Sequence, residues 1–114
     1  MSTLRTGVVG VGHMGQNHAR ICSELENCVL SAVYDTDHDT ARRVAKRYRT
    51  YAAGSLEEFA KLVEAATICT PTVAHFEVGA FLLERGKHLL VEKPLADTPT
   101  RARSLSQLAA ARFC

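Results

Sequence analysis

Apolar and polar positions fall into short alternating blocks along the chain. Thr6–Val9 is a compact β-branched run stopped by Gly10, which predicts a buried strand ending at a turn. Met14, His18, Ile21, Cys22 and Leu25 then recur at helical spacing until Asn27, predicting a helix that buries this stripe. Cys28–Tyr34 reads as a second strand, with Asp35 at its C-terminal end. Ala41, Val44, Ala45 and Tyr48 mark a second helix whose other face carries Arg42, Arg43, Lys46 and Arg47. Thr50–Ala52 is a weak third strand. Ser55 and Glu58 have the spacing of a capping box, ahead of a helix burying Leu56, Phe59, Ala60 and Val63. Ala65–Cys69 is a fourth strand, stopped by Thr70 and Pro71. Ala74, Val78, Phe81 and Leu82 trace a further helix, closed by Gly86. His88–Val91 is the fifth strand, ended by Glu92, Lys93 and Pro94. Thr98 and Pro99 open a last helix with Ala102, Leu105, Leu108 and Ala109 on its stripe.

Strands thus alternate with helices, and the strands are continuously apolar. Together these predict an α/β fold, a doubly wound parallel sheet with helices on both faces. Ligands of such sheets sit beyond the carboxyl ends of the strands, so the residues just after each strand carry the functional expectation.

Composition narrows the class. A chain of 114 residues makes one domain, 46% hydrophobic and 23% charged, as folded proteins are. The net charge of +2 is scattered, which gives no electrostatic reason to expect a nucleic acid or membrane partner. Cys22, Cys28, Cys69 and Cys114 match no zinc or redox spacing, and no histidine cluster has metal-ligand spacing, so no metal is expected. Reduced thiols, the lack of a signal-like stretch after Arg5 and the lack of a membrane-length apolar run predict a cytoplasmic protein. His18 and His88 read as structural and His38 as solvent-facing.

Gly10-Val11-Gly12-His13-Met14-Gly15 is a G-x-G-x-x-G that follows a predicted strand and opens a predicted helix. Asp35 ends the next strand twenty residues after Gly15. This is the context that a dinucleotide-binding turn requires. Gly10 serves the turn, Gly12 the approach of a pyrophosphate, and Gly15 the packing of helix on strand, while the helix N-terminus offers N–H groups to the phosphates. Asp35 can accept both hydroxyls of the adenosine ribose. A nucleotide-triphosphate loop is excluded, because Gln16 and Asn17 stand where it needs Lys and Ser or Thr. A carboxylate at Asp35 repels a 2′-phosphate and no cation follows at Thr36 or Asp37, so NAD is expected over NADP. At the end of the fifth strand, Lys93 has the chemistry to hold a substrate oxygen near developing negative charge. An ordinary exposed Glu92–Lys93 ion pair fits the spacing equally well.

With these residues in place, the chain resembles the N-terminal half of the Gfo/Idh/MocA oxidoreductases. The likeness runs from Gly7-Val8-Val9-Gly10 through Cys69-Thr70-Pro71 to Gly86-Lys87-His88-Leu89-Leu90-Val91-Glu92-Lys93-Pro94-Leu95. The resemblance implies that Gly10, Gly12, His13, Met14, Gly15 and Asp35 hold the dinucleotide. It places Thr70, Pro71 and His75 on the nicotinamide side and Glu92 at the cofactor's border, with Lys93 on the substrate hydroxyl that is oxidised. The implied activity is hydride transfer between a sugar, nucleotide-sugar or cyclitol hydroxyl and NAD. The family pattern also has a sixth strand and a C-terminal α/β substrate domain, expected to be absent here: residues 1–114 would form a truncated Rossmann-type domain, five strands present. Such a chain would be inactive in isolation, or a non-catalytic NAD-binding module, and its bare last strand would favour self-association.

Overall fold

The computed structural model describes residues 4–70 and 72–91. Four strands, β1 (Leu4–Val9), β2 (Cys28–Tyr34), β3 (Ala65–Ile68) and β4 (His88–Val91), form one parallel sheet in the order β2-β1-β3-β4. The helices are α1 (His13–Glu24), α2 (His38–Arg47), α3 (Leu56–Leu62) and α4 (Thr72–Glu84). From β1 the chain reaches β2 on one side of the sheet and β3 on the other. Right-handed crossovers in opposite directions put their helices on opposite faces. On one face Val8, Leu30 and Val33 pack with Ala19 of α1 and with Ala41, Val44 and Ala45 of α2. On the other, Val9, Ala32, Ala66 and Ile68 pack with Phe59 and Ala60 of α3 and Leu82 of α4. Phe59, Ile68 and Leu82 are wholly buried, each contributing about 1.5–3 kcal/mol.

Local chemistry sets the element ends. Asp37 caps α2 by accepting the Thr40 N–H at 3.3 Å. Ser55 caps α3 by accepting the Glu58 N–H at 3.0 Å. The reciprocal arm of that capping box slides one residue, and Glu58 accepts the Gly54 N–H at 2.6 Å instead. After α4, Gly86 takes φ 76° and its N–H reaches the Leu83 carbonyl at 2.9 Å, as its position after the helical stripe predicts.

Two expectations are corrected. The described sheet has four strands, not five, because Thr50–Ala52 contributes a single parallel bridge, Val33 to Ala52. Arg49 turns the chain with φ 56° just before it, and Ser55 caps α3 just after Gly54. Too little chain lies between to continue the ladder. The helical stripe assigned to α1 is met in part: Cys22 packs against the core and His18 is half-buried, but the other three positions are displaced. Gly15 and Ala19 face the sheet, while Met14, Ile21 and Leu25 are 52%, 44% and 50% exposed. The approach is closest at Gly15, where a Cβ would meet the Gly10 carbonyl oxygen.

One irregularity concerns β2. Thr6 pairs with Leu30, but Gly7 pairs with Ala32, so Ser31 is a surplus residue. The bulge lets Leu30 and Val33 face the same side, as Thr6 and Val8 do on β1. The expectations for Pro71, Glu92, Lys93, Pro94, the last helix, the sixth strand and Cys114 fall outside the described residues, as do the side chains of His13 and His75.

Candidate dinucleotide site

The carboxyl ends of β1, β2 and β3 surround a cleft of about 430 Å³ where the strand order reverses. Gly10 and Gly12 come from the end of β1, Asp35 and Thr36 from the end of β2, and Cys69 and Thr70 from the end of β3. Tyr34, Ala74 and Val78 give it an apolar wall. Of the residues expected at the site, the structure brings Gly10, Gly12, Asp35 and Thr70 into one cleft. Gly15 lies behind it, and Met14 stands half-exposed in the first turn of α1. The backbone of His13 opens α1 and that of His75 lies in the first turns of α4.

The three glycines differ in what they answer to. Gly10 has φ 88°, and a Cβ there would stand 2.7 Å from the Thr70 nitrogen. A Cβ on Gly15 would meet the Gly10 carbonyl oxygen at 1.8 Å. Packing within the protein therefore explains both. Gly12 has φ −70° and a Cβ would touch nothing within 4 Å. The fold itself leaves that position free for other residues; bareness there keeps open space beside the loop. Gly12 is also the N-cap of α1, with no side-chain cap and no acid in the first turn. The first-turn N–H groups and the positive end of the helix dipole thus meet no carboxylate from the cap or first turn of the helix itself. This donor set fits a phosphate, and a pyrophosphate is what the glycine spacing accommodates.

Asp35 faces this loop. Its Oδ2 accepts the Val11 N–H at 2.9 Å and its Oδ1 the Asp37 N–H at 2.9 Å. An ionised carboxylate has further lone pairs, so it retains capacity for a ribose diol. The cations nearby are engaged elsewhere on α2: Arg42 with Asp39, and Arg43 with the Thr40 hydroxyl at 3.2 Å. The Thr40 hydroxyl, and then its N–H, hold the Asp37 carboxyl below its ordinary value. Cys22, Cys28 and Cys69 are free thiols, and burial pushes that of Cys22 up, away from a nucleophile's range. Among the described residues no group of three or more His, Cys, Asp or Glu is placed to hold a metal ion. No helix among them is long and apolar enough to cross a membrane.

Sequence reasoning missed the wall residues Tyr34 and Val78, whose apolar character reads as core. It also missed Gln16, whose Nε2 holds the Val11 carbonyl at 3.2 Å. Its signal was position alone, one residue past the third glycine.

Residues 4–114 match the model of an oxidoreductase family described by its NAD-binding Rossmann fold, GFO_IDH_MocA. The chain belongs to the Gfo/Idh/MocA oxidoreductase family. It is 36% identical over 112 residues to a UDP-N-acetylglucosamine 3-dehydrogenase of Acidithiobacillus ferrooxidans, a match covering 98% of this chain and 35% of that protein. It is 36% identical over 101 residues to an inositol 2-dehydrogenase/D-chiro-inositol 3-dehydrogenase of Shouchella clausii, covering 84% of this chain and 29% of that one. Among solved structures, GenD2 from gentamicin A biosynthesis in complex with NAD superposes with a TM-score of 0.94 at 30% identity, covering 99% of this chain and 33% of that one. The chain therefore spans about a third of the length of these family members. Its relatives include sugar, cyclitol and nucleotide-sugar dehydrogenases, and family membership implies a nicotinamide cofactor.

Proposed function

We propose that residues 1–114 are the NAD-binding domain of a cytoplasmic dehydrogenase acting on a sugar, nucleotide-sugar or cyclitol hydroxyl. The observation that carries this reading is Gly12: its open side and uncapped helix face the cleft that Asp35 closes from β2. In this reading the first turn of α1 binds the pyrophosphate, Asp35 accepts the adenosine ribose hydroxyls, and Tyr34 and Val78 exclude water from one wall. Thr70, Pro71 and His75 line the nicotinamide side, with Glu92 bordering the cofactor. Bound NAD supplies the acceptor for the hydride that leaves the carbinol carbon. Lys93 would hold the substrate hydroxyl and steady the negative charge that develops on its oxygen as the hydroxyl proton passes to water.

NAD is favoured over NADP because Asp35 would face a 2′-phosphate while Arg42 and Arg43 are held by Asp39 and Thr40. Calorimetry tests both points. Saturable binding of NAD is expected, with NADP at least about tenfold weaker; no heat from NAD at millimolar concentration would refute the reading.

A second element of the proposal is that these 114 residues bind dinucleotide by themselves, because Gly10, Gly12, Asp35 and the α1 N-terminus that form the cleft all lie within them. Among the described residues β4 has no neighbour on its outer side, and we propose that the chain self-associates there. A monomer in sedimentation at high concentration would remove that idea.

A further inference from the structure

The peptide units around Val11 are gripped from two elements. Val11 is fully buried between Gly10 and Gly12. Its N–H is donated to Asp35 of the β2 end, and its carbonyl is held by the Gln16 side chain of α1. Gly10, just before, donates its N–H to the Tyr34 carbonyl at 2.8 Å. The Gln16 N–H closes on the Gly12 carbonyl at 2.9 Å. Asp35 is thereby the side chain that pins the middle of the loop to β2, and its other oxygen is anchored in turn by the Asp37 N–H.

From this we infer that Asp35 is a positioning residue of the phosphate loop: it sets the loop before any ligand arrives and so governs affinity for phosphates it never touches. The inference rests on the dinucleotide reading of the cleft and adds a second role to the expected ribose contact. A loop with two glycines in three residues has many conformations to lose, and holding it in the receptive one lowers the cost of binding. A carboxylate accepting backbone N–H groups makes a charge-assisted bond, stronger than a neutral acceptor would give.

The two roles predict opposite signs. As a bare negative charge near the pyrophosphate, Asp35 would repel it, and its removal would tighten phosphate binding. As the anchor of Val11, its removal loosens the loop and weakens that binding.

The experiment is a calorimetric comparison of the wild-type chain and Asp35→Asn with ADP and with 2′,3′-dideoxy-ADP, which has no diol for Asp35 to hold. The Val11 and Asp37 N–H groups sit on different carboxylate oxygens, and in Asn one of these becomes an NH2 that cannot accept. The expected result is about a tenfold loss of dideoxy-ADP affinity in Asp35→Asn. Faster amide exchange at Val11, with unchanged exchange at Val44 in α2, accompanies it and shows that the fold is intact. Asp35→Ser, which keeps a short acceptor without charge, takes over if the Asn variant does not fold, and is expected to show the same loss. Equal or tighter binding of dideoxy-ADP by the variant overturns the inference while leaving the dinucleotide reading standing. Wild-type protein that binds neither nucleotide refutes that reading, and the inference falls with it.

Discussion

The N-terminus of α1 and those of α2 and α3 solve the same problem in opposite ways. Asp37 and Ser55 satisfy the first turns of α2 and α3 from within the chain, and both helices carry acids there: Asp39 in α2, Glu57 and Glu58 in α3. Gly12 begins α1 with no side chain at all and no acid in its first turn. The contrast separates a helix end built for stability from one left receptive. An N-cap residue such as Asp or Ser in place of Gly gains only a few tenths of a kcal/mol, so leaving Gly12 bare costs the fold little.

Exchanging the two designs tests the contrast most strongly. Gly12→Asp gives α1 the cap that α2 has, and a Cβ there meets nothing within 4 Å. Stability is expected to hold or rise slightly in urea denaturation, while NAD affinity falls about a hundredfold or more because a carboxylate occupies the anion's place. Ser55→Ala is the reciprocal change. It removes the α3 cap at a cost of about 1 kcal/mol in the same denaturation experiment and leaves NAD affinity unaltered. If both variants shift binding alike, the distinction between the helix ends is wrong.

Acid offers a smaller and more selective probe. The Gly54 N–H and then the Tyr51 hydroxyl hold the Glu58 carboxyl below its ordinary value, as Thr40 does for Asp37. Groups depressed in the folded state stabilise it above the ordinary carboxylate range, and that contribution is lost as pH falls through their folded values. Amide exchange at the starts of α2 and α3 is therefore expected to lose protection on acidification. Both carboxylates are solvent-exposed, so the effect is modest.

The same contrast explains how far the sequence was legible. The alternating blocks predicted β1, β2, β3 and β4 because each is an apolar run bounded by a turn. The glycine spacing and Asp35 predicted the cleft because that chemistry depends on local order along the chain. What periodicity could not show was how closely α1 approaches the sheet. Met14, His18, Ile21, Cys22 and Leu25 form a genuine helical stripe, and Cys22 keeps its place against the core, yet Gly15 and Ala19 are the fully buried positions because their size permits it. Thr50–Ala52 likewise has strand chemistry, but Arg49 and the α3 cap leave it one bridge long. The tie from Asp35 to Val11 joins residues 24 apart in sequence, and a pairwise contact of that kind leaves no periodic trace.

The surplus residue in β2 has a consequence for how the chain tolerates changes of length. Cys28–Leu30 and Ala32–Tyr34 each keep regular partners on β1, and Ser31 sits between the two sets. Deleting Ser31 would close the ladder into uniform register and leave Asp35 beneath the loop. Deleting Val33 would also close the ladder, but with Ser31 set against Gly7 and Ala32 against Val8, which turns Ala32 away from the core cluster it fills. The bulge is thus the joint at which this strand could shorten by one residue without disturbing the site at its end.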